Sequence, residues 1–174
     1  GCYGQAHIRT PNIDRLAAEG MLFTRAYSGS CVCAPTRSTL HTGLHTGRTP
    51  IRDNKELRPE GQQPLPAQTV TFAKILRAHG YTTACVGKWG LGPPGSAGDP
   101  LSQGFDHFFG YLCQRHAHNH CPTYLYRDGE RLELPANSEG NPWGPVYAPD
   151  LMREHAVRLI RGAESRPWLM VYAT

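Results

Sequence analysis

Cys33-Ala34-Pro35-Thr36-Arg37-Ser38-Thr39-Leu40-His41-Thr42-Gly43 is the stretch from which the rest of this 174-residue chain can be read. Proline lacks the amide hydrogen that a first helical turn leaves unpaired, so Pro35 predicts a helix start. Gly43 supplies a natural stop after the last turn. Cys33 therefore lies at the positive end of a short helix, beside the permanent cation of Arg37, which is where an anion is held.

Outward from this run, Thr10 to Gly20 predicts a short helix. Thr10 is its cap, Pro11 its first residue, Ile13, Leu16 and Ala17 its apolar face, and Gly20 its stop. Met21 to Tyr27 reads as a strand. Arg48 to Gln68 is polar and rich in Pro and Gly, a surface excursion. Thr69 to His79 predicts a second helix with Val70, Ala73, Ile75 and Leu76 inward and Gly80 as its stop. Tyr81 to Val86 predicts a strand, and Pro93 to Pro100 a flexible loop. Thr123 to Leu134 predicts a hairpin turned at Asp128-Gly129. Asp150 to Arg161 predicts an amphipathic helix capped near Asp150, and a buried strand follows Pro167. Helices alternating with strands argue for an α/β layered sheet.

Directly after the Tyr81–Val86 strand comes Gly87-Lys88-Trp89-Gly90-Leu91-Gly92. Ligands of open α/β sheets sit beyond the carboxyl ends of the strands, so a lysine on this turn is placed to meet a bound anion.

The Cys33 run resembles the signature of the sulfatase family, Cys-X-Pro-Ser-Arg followed by Leu-Thr-Gly, with Thr36 in the Ser place and Thr42-Gly43 as the tail. The Lys88 turn is similar to the family's Gly-Lys-Trp-His-Leu-Gly, with Gly90 where the histidine stands. Tyr3-Gly4 through Gly20 to Phe23-Thr24, and Gln103-Gly104-Phe105-Asp106-His107-Phe108-Phe109-Gly110-Tyr111-Leu112, resemble the segments flanking those motifs. The resemblance implies an alkaline-phosphatase-like layered sheet with helices on both faces. It also implies that residues 1–174 are the amino-terminal portion of a catalytic domain, without its first strand and its carboxyl-terminal part.

The implied activity is hydrolysis of an aryl or carbohydrate sulfate monoester. Cys33, oxidised to formylglycine by a formylglycine-generating enzyme, is then both the nucleophile and, through its oxygens, a metal ligand. Arg37 orients the hydrate, and Lys88 binds the sulfate and neutralises developing charge. Gln114, with Arg115, sits where family members line the sulfate pocket. His116 or His118 contacts substrate and stands in for the histidine missing at position 90. Calcium or another divalent cation is implied, its other ligands lying outside the chain. The implied setting is secreted, lysosomal or periplasmic. Phosphonate or phosphate ester hydrolysis, and a catalytically impaired domain that binds sulfated sugars, are the alternative functions.

Other features point elsewhere or nowhere. A net charge of +4 with 18% charged residues is an ordinary surface, not the basic stripe of a nucleic-acid binder. No apolar run reaches the roughly 20 residues that span a bilayer, and the amino terminus shows no signal-peptide pattern. Six cysteines are too few for a disulfide-built scaffold. Cys85 reads as a buried thiol, and Cys113 and Cys121 as a pair that an oxidising compartment could join. Cys31-Val32-Cys33 is a weak metal signal. On a strand, His116, His118 and His120 would point one way and suit zinc; a polar loop lining a substrate cleft is the favoured reading. His41 and His45 read as surface residues or as neighbours of the site.

Overall fold

The computed structural model describes residues 1–163 and 166–174. Its elements are α1 (Pro11–Glu19), α2 (Cys33–Thr42), α3 (Phe72–Ala78), β1 (Thr82–Lys88), β2 (His107–Tyr111), β3 (Tyr124–Arg127), β4 (Glu130–Glu133), α4 (Ala148–Gly162) and β5 (Trp168–Ala173). The five strands form one sheet in the order β4-β3-β2-β1-β5. β1 runs parallel to both β2 and β5, whereas β3 and β4 join as an antiparallel hairpin.

Alternation along the strands divides the core into two layers. Cys85, Phe108, Tyr126 and Val171 face the side covered by α2 and α3, where Ala34, Ala73, Trp89 and Phe105 complete the cluster. Val86, Phe109, Leu125 and Met170 face the other side, against Ala148, Met152 and Ala156 of α4. Helices therefore lie on both faces of the sheet, as expected. β1 and β2, buried at almost every position, are the central strands that hold the site.

Local chemistry accounts for several element ends. Gly43 takes a left-handed φ of 67° and its N–H closes on the Thr39 carbonyl at 2.8 Å, ending α2. Asp128 and Gly129, with φ of 49° and 90°, make the tight turn of the β3–β4 hairpin. α3 starts at Phe72, not Thr69, and Thr71 caps it: its Oγ1 accepts the Lys74 N–H at 3.2 Å. With the start moved to Phe72, Val70 and Ile75 face solvent and only Ala73 of the helix is fully buried. α4 begins at Ala148-Pro149, so Asp150 sits inside its first turn, 3.7 Å from Arg153, rather than at the cap.

Two expectations near the amino terminus fail. Met21 to Tyr27 forms no strand, because no described strand lies beside it to complete a hydrogen-bonded ladder. The apolar face of α1 is not covered within the described residues: Ile13 is 59% and Leu16 71% exposed. Thr10 stands at the α1 N-cap, but its hydroxyl bonds Asp14 Oδ1 at 3.0 Å instead of a backbone amide. All six cysteines are free thiols. Cys113 and Cys121 are both buried, Cys113 facing Gln62 and Gly61 and Cys121 facing the Gly144 carbonyl, so they are not joined.

Candidate active site

Cys33 is the first residue of α2 itself, two residues ahead of the start that Pro35 suggests, and Pro35 lies third. All of the first four amides of a helix lack an internal partner, so Pro35 still costs nothing there. Val32 at the N-cap offers no side-chain acceptor. The acceptor comes from elsewhere: Asn54 Oδ1 takes the Ala34 N–H at 2.9 Å. The loop before the helix is tied down by the Thr36 hydroxyl, which donates to the Ser30 carbonyl.

β1 runs two residues past Val86, which carries Lys88 to its carboxyl end. Lys88 Nζ lies 3.3 Å from Cys33 Sγ. Arg37, one turn along α2 from Cys33, donates from Nη1 to the Lys88 carbonyl at 2.5 Å. Cys33, Arg37 and Lys88 therefore meet, although 55 residues separate the first from the last. Arg37 Nε is buried with no partner among the described residues. Burial pulls the Arg37 guanidinium below its usual range, partly offset by the Cys85 and Cys33 thiols. A guanidinium stays charged even so, and its idle N–H is a donor that an anion would satisfy.

A cavity of about 240 Å³ opens here, walled by Arg37, Lys88, Tyr111, His120, Met152 and Thr174. Burial raises the Tyr111 phenol well above its ordinary range, helped by Cys121 and Tyr147, so its hydroxyl remains a donor. That hydroxyl bonds the Asn119 carbonyl at 2.7 Å. A larger hollow of about 400 Å³ lies at the opposite, amino ends of β1 and β5, beside Thr82 and Trp168, far from Cys33. Of these two hollows, the smaller is the one walled by Arg37 and Lys88.

Gly90 has a left-handed φ of 75°, and the space above it is taken by Gln114. Gln114 is buried. Its Nε2 donates to Asn54 Oδ1 at 3.2 Å and to Gln62 Oε1 at 3.1 Å, while its Oε1 has no partner among the described residues. Gln114 thus holds Asn54, the acceptor at the α2 N-terminus, rather than lining the cavity.

His116 and His118 lie on a turn of 3-10 helix, not a strand, so the period-two alternation that would align the three rings is absent. The His116 ring packs 4.1 Å from that of Tyr124, edge-on to Tyr111, with Nδ1 turned to Glu60 at 3.7 Å. Burial lowers its pKa, against the opposing pull of Glu60. His118 is exposed. Neither walls the cavity; His120 does. The only hint in the sequence is that His120 directly precedes Cys121-Pro122, where the loop returns to the core. His41, expected at the surface or beside the site, is instead buried among Phe72, Trp89 and Phe105.

No group of three or more His, Cys, Asp or Glu side chains that could hold a metal ion exists among the described residues. The expected divalent cation therefore has no oxygen cage among the described residues, and the zinc reading of the histidine run finds no ligand cluster there either. No helix among them is long and apolar enough to cross a membrane.

Known proteins resemble this chain in sequence and in fold. Human arylsulfatase A is 44% identical over 115 residues, covering 63% of this chain and 22% of that protein. Human arylsulfatase D is 41% identical over 119 residues, covering 63% of this chain and 20% of that protein. The chain spans about a fifth of the length of these curated relatives. A protein solved in complex with its substrate D-glucosamine-2-N,6-O-disulfate superposes with a TM-score of 0.70 at 30% identity, over 98% of this chain and 30% of that one. A glycosaminoglycan-metabolising protein of Bacteroides thetaiotaomicron shares the fold, with a TM-score of 0.79 at 23% identity over 99% of this chain and 47% of its own. The family model described as Sulfatase matches residues 1–174. With a cysteine, an arginine and a lysine converging at one end of this sheet, the chain belongs to the sulfatase family.

Proposed function

We propose that these residues form the nucleophile-bearing part of a sulfatase catalytic domain, which hydrolyses a sulfate monoester of a small aryl molecule or a glycan. The observation that carries this reading is the 3.3 Å approach of Lys88 Nζ to Cys33 Sγ, at a helix N-terminus with Arg37 alongside. Family membership supports sulfate ester hydrolysis; formylglycine at position 33 is the finer inference.

In this reading Cys33 Sγ stands in for the oxygens of hydrated formylglycine. One hydroxyl of the hydrate attacks sulfur, and the bond from sulfur to the ester oxygen breaks. The second hydroxyl then gives up its proton, the carbon–oxygen bond to the sulfate breaks, and the aldehyde returns. Lys88 lies where charge builds up on the transferred group. The free Nε–H of Arg37, fixed by the bond from Nη1 to the Lys88 carbonyl, orients either the hydrate or a sulfate oxygen. Calcium would add Lewis acidity, but the described residues do not form its site, and no step above depends on it.

The test uses the full-length protein from its native host. The peptide containing Cys33 should weigh about 18 Da less than its thiol form, the arithmetic of thiol-to-aldehyde conversion. Aryl sulfate should turn over faster than aryl phosphate, and Cys33→Ala should abolish turnover. An unmodified thiol in active protein would overturn the nucleophile assignment; preference for the phosphate ester would move the activity to phosphoryl transfer.

A further inference from the structure

We propose that Asn54 is a positioning residue: it fixes the start of α2, and with it the nucleophile, and is held for that task by Gln114 and Gln62. This rests on the sulfatase reading above. It gives the excursion of residues 48–68, which reads in the sequence as surface, a part in the site.

The start of α2 has little to hold it from within. A helix leaves its first four amides without an internal partner, and Val32 at the N-cap offers no side-chain acceptor. Pro35 has no N–H, and Thr36 N–H already closes on the Val32 carbonyl at 3.1 Å. Ala34, next to Cys33, finds its acceptor twenty residues along the chain, where Asn54 Oδ1 takes its N–H at 2.9 Å. A helix cap supplied from a distant segment ties the helix to that segment.

Asn54 is itself held. Gln114 Nε2 donates to the same Oδ1 at 3.2 Å and to Gln62 Oε1 at 3.1 Å. Two N–H groups converge on one Asn54 atom, which decides that this atom is the oxygen. Gln114 and Gln62 are buried, so their amides do not exchange these partners for bulk water. The excursion is anchored by Ile51 and Leu65 in the core, and Gln63 N–H donates to the Lys55 carbonyl at 2.8 Å. Gln114 follows Leu112, whose carbonyl accepts the Gly90 N–H at 3.2 Å. The three side-chain amides therefore join α2, which carries Cys33 and Arg37, to the segment beside the end of β1, which carries Lys88. Without the Asn54 oxygen the helix start is free to shift against Lys88. A displacement of about 1 Å can cost about hundredfold in rate.

The experiment compares full-length wild type, Asn54→Ala and Asn54→Asp on nitrophenyl sulfate. The alanine variant loses the acceptor, and its kcat should fall by about tenfold to hundredfold. The aspartate variant keeps an oxygen for both donors, so its kcat should stay within about threefold of wild type. Its added negative charge, beside the helix start where the sulfate would sit, should instead raise KM by about fivefold or more. A merely structural residue would not divide kcat from KM in this way. Hydrogen exchange should quicken in the peptide spanning the start of α2 in the alanine variant alone, with β1 and β2 protected as in wild type. Wild-type kcat in the alanine variant, no recovery of kcat with aspartate, or loss of protection throughout the sheet each overturns the positioning role, while Cys33→Ala still abolishes turnover. A wild-type protein that cleaves no sulfate ester overturns the hydrolase reading and this proposal with it.

Discussion

A β-carbon added to Gly90 would lie 2.6 Å from Cγ of Gln114. The glutamine therefore occupies the volume that a larger residue at position 90 would claim, and the two positions are coupled. Gly90→His should destabilise the protein by about 2–5 kcal/mol, combining left-handed backbone strain with overpacking. Adding Gln114→Ala should return part of that loss. Urea unfolding of the four proteins in the cycle measures the coupling; strictly additive effects would show that Gln114 does not fill the space.

His41 couples stability to pH. Burial, with Arg37 nearby, lowers its pKa from 6.5 to about 4. The folded state thus holds the ring neutral while the unfolded chain protonates it, so the unfolded state binds more protons between these values. Stability should be complete above pH 6.5 and fall as pH drops toward 4, by about 3 kcal/mol from this ring alone. His41→Leu keeps an apolar contact to Phe72, Trp89 and Phe105 and should flatten that part of the curve. Unfolding free energies of wild type and variant across this pH range check it; parallel curves would refute it.

Arg37→Lys should lower kcat/KM for a sulfate ester by about hundredfold, the usual scale for losing one preorganised donor. An ammonium cannot both bond the Lys88 carbonyl and present a second N–H in a fixed plane. Steady-state kinetics of the full-length variant supply the measurement. A rate within a few-fold of wild type would mean that charge alone suffices there.

Gly87→Ala should be severe. Gly87 has φ of 114°, and an added β-carbon would meet the Ala173 carbonyl oxygen at 2.3 Å. Relief requires β1 and β5 to separate, because the obstacle is backbone. A loss of about 3 kcal/mol or more is expected, visible as a lower urea midpoint, and activity should fall as well because β1 carries Lys88. An unchanged midpoint would show that the β1–β5 pairing is slack at this point.

Much of the site could be read before any tertiary structure. A cysteine at a helix start with an arginine one turn on, and a lysine on a glycine-rich turn after a strand, are local patterns with local causes. The hairpin at Asp128-Gly129 and the stop at Gly43 could be read for the same reason: each depends on the φ preference of one or two residues. The strand expected at Met21–Tyr27 fails because β-propensity records a readiness to pair and not the presence of a partner.

The sequence by itself determined which side chains could do chemistry and which backbone segments turn or coil, since both follow from residue type and from neighbours within a turn. Only the tertiary structure decided that Lys88 meets Cys33, that Gln114 fills the place above Gly90, that His41 is sealed among aromatic rings, and that His120 reaches the cavity while His116 and His118 do not. Those outcomes depend on which distant segments share a sheet end, and contacts across 50 or more residues leave no periodic trace in a chain.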